Sequence, residues 1–185
     1  NLQIYDSNLQ TIDENAFKGL INLNRLNLEH NQIECLPPLL FQDTKVLQTI
    51  ELYDNKIKAL HPIIFKPLIQ ISHFNLAMNQ ITYIPDLDLD ISSWNQGSFY
   101  LMLYDNPINA INPLFLTHLF NNFDMESHSI QISLGSEALQ IQTCADGTIF
   151  PLFNLHMIAS QETWQQQDTA YASNTSCYSN FSPQM

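Results

Sequence analysis

Three aspartates at alternate positions are the residues of this chain whose spacing most resembles a metal site. Asp86, Asp88 and Asp90 form a D-x-D-x-D run, and alternating carboxylates open a calcium-binding loop. Such a loop also needs a glycine at its sixth position and a glutamate at its twelfth, but these positions hold Ile91 and Gly97. The spacing therefore favours an exposed, solvated acidic edge over a calcium loop, and we expect no bound metal.

No motif in the sequence predicts catalysis. The chain has no nucleophile elbow, no phosphate-binding loop and no zinc spacing. Its two best-placed histidines, His30 and His73, fall on predicted strands with one strand between them. The usual strand spacing puts these histidines about 10 Å apart, too far to share a metal ion. We therefore expect a non-catalytic protein that needs no cofactor.

An apolar pattern with a period of 24 residues runs through the first part of the chain and must position these polar groups. Its reference residue is an asparagine, at Asn31, Asn55, Asn79 and Asn106, with Ser7 in the first copy. The fifth copy follows the fourth after 27 residues. Four positions around the reference are apolar in every copy: Leu2, Ile4, Leu9 and Ile12; Leu26, Leu28, Ile33 and Leu36; Ile50, Leu52, Ile57 and Leu60; Phe74, Leu76, Ile81 and Ile84; Leu101, Leu103, Ile108 and Ile111. A unit of this length cannot bury its own apolar edge, so the copies must stack as a solenoid.

Each copy predicts a strand followed by a turn. The alternating L-x-L pair fits a short strand with one buried face, and the x-x-N-x-L that follows does not alternate. At the turn the backbone loses water, and a short amide side chain can pair with peptide groups of its own repeat and the next. We therefore expect an internal asparagine ladder. Ten residues after the asparagine position, Phe17, Phe41 and Phe65 predict an aromatic column on the opposite, convex side.

These residues resemble the motif L-x-x-L-x-L-x-x-N-x-L-x-x-L of the leucine-rich repeat family, in the 24-residue form typical of extracellular proteins, over about residues 1–116. The resemblance implies an α/β solenoid, a curved and right-handed leucine-rich repeat superhelix. Its parallel β-sheet would form the concave face, its convex side would be rich in loops, and a C-terminal cap would close it. The resemblance also implies ligand recognition rather than catalysis.

We divide the chain into residues 1–134, which hold the repeats, and residues 135–185, which form a C-terminal cap and a polar tail. The first part contains the five clear copies at 1–116, a helix predicted over 112–123, and a sixth strand predicted over 129–134. The helix prediction follows from an N-cap asparagine and apolar residues at helical spacing. Gly135 stands where the next asparagine should be, so the repeat pattern ends there.

The exposed positions of the predicted strands form the candidate partner-binding surface. Tyrosines recur at one of these positions and aspartates at the next. This arrangement suits protein recognition, because a tyrosine offers contact area and one hydrogen bond at low entropic cost. An ordinary solvated sheet face without a ligand is the alternative. The candidate residues are Tyr5, Asp6, Arg25, Glu29, His30, Glu51, Tyr53, Asp54, His73, Tyr100, Tyr104 and Asp105.

The charge balance narrows the kind of partner. The formal net charge is −12, with only six lysines and arginines. Nucleic acids and anionic membrane surfaces are bound by clustered cations, so the composition argues against both. It favours a basic or neutral protein partner. The apolar stretches also fall short of the roughly 20 residues that a membrane-spanning helix needs.

Three cysteines and two glycosylation sequons, together with the family resemblance, favour secretion. In an extracellular protein Cys144 and Cys177 would most simply form a disulfide within the cap. We interpret Cys35, which points away from the core, as an unreactive thiol, with a bond to another chain as the alternative. The sequons predict glycosylation at Asn174 and Asn180.

The first predicted strand has no neighbour on its outer side, which would leave Leu2, Ile4 and a row of peptide groups uncovered. We expect upstream repeats, another chain or a second copy to cover this edge. Two functions follow from these observations. One is a secreted, non-catalytic module that binds a protein partner through its concave face. The other is a scaffolding subunit of a secreted assembly, one that could hold a catalytic chain, with contacts through the ends of the solenoid.

Overall fold

The stacked coils form the solenoid that the repeat pattern predicts. A computed structural model describes residues 1–87, 89, 97–112, 114–115 and 128–133. Six strands make one parallel sheet in the order β1-β2-β3-β4-β6-β8, and β5 and β7 make a second, two-stranded parallel sheet. The described strands are β1 (Leu2–Gln3), β2 (Arg25–Asn27), β3 (Thr49–Glu51), β4 (His73–Asn75), β5 (Tyr83–Ile84), β6 (Gly97–Met102), β7 (Ala110–Ile111) and β8 (His128–Ser133).

The repeat period sets the register of the main sheet. Leu26 lies opposite Ile50, and Ile50 lies opposite Phe74, so each step along the sheet is one 24-residue repeat. The next step is longer, because Phe74 lies opposite Leu101. β8 then pairs with β6 and places Ile132 opposite Leu101. The sixth strand therefore lies within one residue of the range predicted for it.

The core is the stacked apolar ladder with an aromatic column behind it. Leu26, Ile50, Phe74 and Leu101 are buried in line beneath the sheet. Behind them, the rings of Phe17 and Phe41, and then those of Phe41 and Phe65, stack with centroids 6.1 Å apart. The ring of Phe65 meets Phe74 edge-on at 4.2 Å, which ties the convex column to the strands. Leu2, Leu9 and Ile12 are only partly buried, because the first repeat packs on one side only.

The asparagine ladder is present, and it reaches back to the preceding repeat rather than forward to the next. The Oδ1 of Asn55 accepts a hydrogen bond from the Ile33 N–H at 3.0 Å, one repeat earlier. Its Nδ2 donates to the carbonyls of Leu28 at 3.0 Å and Leu52 at 3.2 Å. Asn31, Asn79 and Asn106 make the same set of bonds. The ladder therefore ties each coil to the one before it.

The C-terminal part of the sequence analysis falls mostly outside the described residues. The Oδ1 of Asn112 accepts from the Leu114 N–H at 2.9 Å, as an N-cap does, and Leu114 and Phe115 are helical. The rest of the helix predicted over 112–123 lies outside the described residues. So do Asp88, Asp90, the region 135–185, Cys144 and Cys177, and the sequons at Asn174 and Asn180.

One interpretation of a cysteine is overturned. Cys35 is disulfide-bonded, so it is not the unreactive thiol that we expected from its position. The chain has three cysteines, and one bond within the chain uses two of them. A bond from Cys35 to Cys144 or Cys177 would therefore compete with the bond predicted between those two residues.

Candidate functional site on the concave sheet

The side chains on the face of the main sheet opposite the apolar core stand in columns across the repeats. Residues of neighbouring strands lie opposite one another, so each repeat adds one side chain to each column. Two of these columns lie within the strands, and we call them the outer column and the middle column. The outer column is Arg25, Thr49, His73 and Tyr100, and the middle column is Asn27, Glu51, Asn75 and Met102.

The third column carries the tyrosines, but they are not adjacent. In repeat order it reads Tyr5, Glu29, Tyr53, Ala77 and Tyr104. Tyr53 and Tyr104 flank Ala77, which is fully buried. Tyr5 is separated from Tyr53 by Glu29 and is about half exposed at the first repeat. The predicted tyrosine surface therefore consists of Tyr53 and Tyr104 on either side of Ala77. Tyr5 is separated from this pair by Glu29.

The fourth column has a backbone reason for its aspartates. Asp6, His30, Asp54, Met78 and Asp105 all have positive φ angles, between 50° and 56°. The left-handed conformation is costly for most residues, but aspartate and asparagine tolerate it because their short polar side chains bond locally. The backbone conformation of the turn is therefore enough to explain why aspartate recurs here, and no ligand is needed to explain it.

The two histidines pair with different carboxylates, as their separation requires. The Nδ1 of His30 lies 2.9 Å from the Oδ2 of Asp54, and the Nε2 of His73 lies 3.3 Å from the Oε1 of Glu51. The hydrogen bond to Asp54 raises the pKa of His30, with nearby carboxylates adding to the effect against a smaller opposing contribution from burial. His30 also meets the Tyr53 ring edge-on at 5.4 Å. These contacts link three repeats across the face.

The concave face is acidic. Burial raises the pKa of the Tyr104 hydroxyl, and the charges of Tyr53, Asp105, Glu51 and Glu29 raise it further. Arg25 is the one residue with a permanent positive charge among the twelve predicted site residues, which include five carboxylates. The face is built to attract positive charge rather than to repel it.

Sequence reasoning passed over three residues of the fourth repeat that depart from the pattern of the others. Asn75, Ala77 and Met78 were all expected at exposed strand positions, and none of them was included among the candidate residues. Asn75 is buried, although it lies on the concave side, and Met78 is exposed in a left-handed turn. The signal was present in the columns, because alanine and methionine replace the tyrosine, glutamate, histidine or aspartate found in the other repeats.

The stacked coils and the parallel sheet form a β-solenoid, and the asparagine ladder is consistent with a leucine-rich repeat solenoid. Residues 1–57 match the family model described as leucine rich repeat, which confirms the resemblance over that range. No curated protein matches the chain. Solenoids of this class are generally non-catalytic and typically serve as protein-binding modules.

Two further findings concern the part of the chain that the structure describes. It contains no helix that is both long and apolar enough to cross a membrane. In the same residues, no three histidine, cysteine, aspartate or glutamate side chains gather where they could hold a metal ion.

Proposed function

We propose that the protein is a secreted, non-catalytic module that binds a protein partner through the concave face of its leucine-rich repeats. The observation that carries the proposal is the register of the strands, which aligns side chains of successive repeats on this face. Acidic and tyrosine side chains from successive repeats lie in columns, with Tyr53 and Tyr104 on either side of Ala77. Rigid aromatic side chains at the centre of such a surface, with charged groups around them, are the usual anchors of protein interfaces.

The secreted location rests on sequence features. The two sequons at Asn174 and Asn180 favour it, and so does a disulfide at Cys35, because disulfides persist in oxidising compartments. The acidic charge and the concave tyrosines together favour a partner with a basic surface.

The proposal is tested by recovering partners with a matched pair of variants. Extracellular fluid from the source organism is passed over the immobilised native chain, over Tyr53→Ala/Tyr104→Ala, and over Gln42→Ala/Lys45→Ala. The last pair is exposed and lies away from the strands. We expect at least one protein to be retained by the native chain and by the control but lost from the tyrosine variant. Retention that is equal on all three columns would contradict concave binding.

The scaffolding alternative has an observation of its own at the first repeat. Ile4, Leu20 and Ile21 are exposed there, with Ile21 62% exposed, and β2 is the one described strand that pairs with β1. Exposed apolar residues beside a strand edge favour a cover of upstream repeats, another chain or a second copy, and the last two would make this end of the solenoid a site of association. Light scattering after gel filtration tests this role, because association that disappears in Ile21→Asp would support it and a monomeric native chain would contradict it.

A further inference from the structure

Both histidines of the concave face pair with carboxylates of the third repeat. His30 belongs to the second repeat, and its Nδ1 lies 2.9 Å from the Oδ2 of Asp54. His73 belongs to the fourth repeat, and its Nε2 lies 3.3 Å from the Oε1 of Glu51. A neutral imidazole can donate one such bond, and a protonated imidazole turns the bond into an ion pair. The third repeat therefore has a titratable ring on each side.

Each histidine also lies against a tyrosine of the face. The ring of His30 meets that of Tyr53 edge-on with centroids 5.4 Å apart, and the centroids of His73 and Tyr100 are 6.0 Å apart. A proton gained by either ring therefore places a positive charge beside an aromatic side chain of the proposed partner-binding surface. A partner cation that approaches the same tyrosine would be repelled by that charge.

Carboxylates of three repeats act on His30. The hydrogen bond to Asp54 raises the pKa of His30, and the charges of Asp6, Asp54 and Glu29 raise it further against an opposing contribution from burial. On the side of the third repeat the ring also meets Tyr53. Because its pKa lies above the ordinary value of 6.5, His30 gains its proton at a higher pH than an ordinary histidine does.

The surroundings of His73 are less charged. Its neighbours in the outer column are Thr49 on β3 and Tyr100 on β6, and Glu51 of β3 supplies the carboxylate. Arg25 belongs to the same column, with Thr49 between it and the histidine. The side chain of His73 is 31% exposed, so its proton can exchange with solvent.

The two rings control a large part of the charge of the face. The twelve predicted site residues hold five carboxylates and one arginine, so their net charge is −4 with both histidines neutral and −2 with both protonated. The side chains of His30 and Asp54 are 46% and 50% exposed, so a partner can reach this pair. Protonation therefore halves the negative charge that attracts a basic partner.

We propose that the concave face binds a basic protein partner at neutral pH and releases it in mild acid, with His30 and His73 as the groups that titrate. At neutral pH the carboxylates of Asp54 and Glu51 attract cations of the partner. In mild acid each carboxylate is paired with an imidazolium of a neighbouring repeat, and the new positive charges beside the two tyrosines repel the partner. The inference rests on the proposed function, because it takes the ligand to be a protein.

The test uses a cationic probe, acetyl-hexa-arginine amide, titrated into the full isotope-labelled chain at constant ionic strength. NMR shifts of the amides of residues 51–54 and 73 report binding at the face, at pH 7.5 and at pH 5.5. We expect the dissociation constant to rise about five- to tenfold at the lower pH, because two exposed ion pairs then compete with the probe. Equal affinity at the two pH values, tighter binding at the lower pH, or no shifts at these residues would overturn the proposal.

The matched variants are His30→Asn/His73→Gln and His61→Asn. The double variant keeps an amide donor for each carboxylate but cannot gain a proton, and asparagine suits the left-handed backbone of residue 30. We expect its dissociation constant for the probe to change by less than about threefold between the two pH values. His61→Asn removes a buried histidine instead and should keep the native pH dependence. A double variant with the native pH dependence would contradict the role of the two rings.

A measurement on the native chain keeps the test valid if the double variant does not fold. Binding and protonation are linked, so a cation that prefers the neutral ring must lower the pKa of His30 when it binds. The imidazole signals of His30 should therefore titrate at a lower pH in saturating hexa-arginine than without the probe. An unchanged or raised midpoint would overturn the proposal.

The partner recovered on the columns described above separates this inference from the proposed function. Partner bound at pH 7.5 should leave the native column at pH 5.5 but stay on a column of His30→Asn/His73→Gln. If the partner is lost from Tyr53→Ala/Tyr104→Ala but is held by the native chain at both pH values, the concave function stands and the pH dependence is wrong. If retention does not depend on the tyrosines, the concave function fails and this inference fails with it.

Discussion

The residue that precedes each ladder asparagine shows how one backbone requirement admits several side chains. This position is left-handed in all five described repeats, and aspartate, histidine and methionine occupy it. Aspartate is one of the residues that adopt this conformation most readily. The recurrence of Asp6, Asp54 and Asp105 is therefore explained by the backbone of the coil and does not by itself indicate a ligand. Met78 is the exception, because neither the backbone conformation nor its exposure favours methionine.

We expect Met78→Asn to stabilise the protein by about 1 kcal/mol, because asparagine adopts the left-handed conformation more readily than methionine. The measurement is equilibrium unfolding in urea. Asp105→Asn, at the same position of the next repeat, is the control and should change the stability by less than about 0.5 kcal/mol. A loss of stability in Met78→Asn would mean that the side chain packs more than its exposure indicates.

His61 makes the stability depend on pH. It is buried, burial lowers its pKa, and its Nδ1 accepts from the Ile63 N–H at 3.3 Å, a bond that only the neutral ring can accept. With the folded pKa below the ordinary value of 6.5, the contribution of His61 is complete above that pH and is lost as the pH falls through the folded pKa. We therefore expect the free energy of unfolding to fall more between pH 7.5 and pH 5 in the native chain than in a variant that lacks this ring.

The control variant for this experiment is His61→Asn, since Asn112 accepts the equivalent bond from Leu114 at the same repeat position. His30 acts in the opposite direction: its pKa is raised, so its contribution is complete below the unfolded pKa and is lost as the pH rises through the folded pKa. Both proteins retain His30, so the difference between them isolates His61. An identical pH dependence in the native chain and in His61→Asn would contradict the role assigned to this ring.

At the scale of the coil, the asparagine ladder is the polar counterpart of the apolar core. Replacing Asn55 by leucine would leave the Ile33 N–H buried without its partner, while the Leu28 carbonyl would keep the bond from the Nδ2 of Asn31. We expect this change to cost about 1–3 kcal/mol in equilibrium unfolding, because that is the usual cost of one unsatisfied buried group. Gln80→Ala, an exposed change in the coil that follows the fourth strand, should cost less than about 0.5 kcal/mol. Equal losses of unfolding free energy in the two variants would show that the asparagine ladder does not stabilise the fold.

The disulfide at Cys35 belongs to the same scale, since it ties the second repeat to another segment. Peptide mapping of non-reduced protein should find Cys35 in a disulfide and protected from iodoacetamide, and it identifies the partner cysteine directly. A Cys144–Cys177 peptide together with alkylated Cys35 would contradict the bond at Cys35 and support the pairing expected from the sequence.

The repeat pattern predicted the strands well, because the stacking of equal repeats allows only one register for the sheet. Once a strand such as Leu26 to Leu28 must bury its face against the next copy, the period of the sequence becomes the register of the sheet. The direction of the asparagine bonds was predicted less well, because spacing alone does not say which neighbouring coil an amide reaches. The burial of Asn75 and Ala77 escaped prediction, because alternation along a strand predicts exposure at both positions.

Over the whole molecule, negative charge increases along the chain. Residues 1–66 hold all six lysines and arginines with eight aspartates and glutamates, whereas residues 67–185 hold ten aspartates and glutamates and no lysine or arginine. This distribution would draw a basic partner towards the later repeats, and the rate of association should fall as salt is added.

The central claim, that the concave face binds a protein partner, is tested most directly by the affinity of the recovered partner for Tyr53→Ala/Tyr104→Ala. We predict that its dissociation constant rises about 30-fold or more, equivalent to about 2 kcal/mol, because two aromatic anchors are removed from the centre of the face. The melting temperature should stay close to that of the native chain, since both rings stand outside the apolar core. A folded double variant that binds the partner with unchanged affinity would contradict the claim.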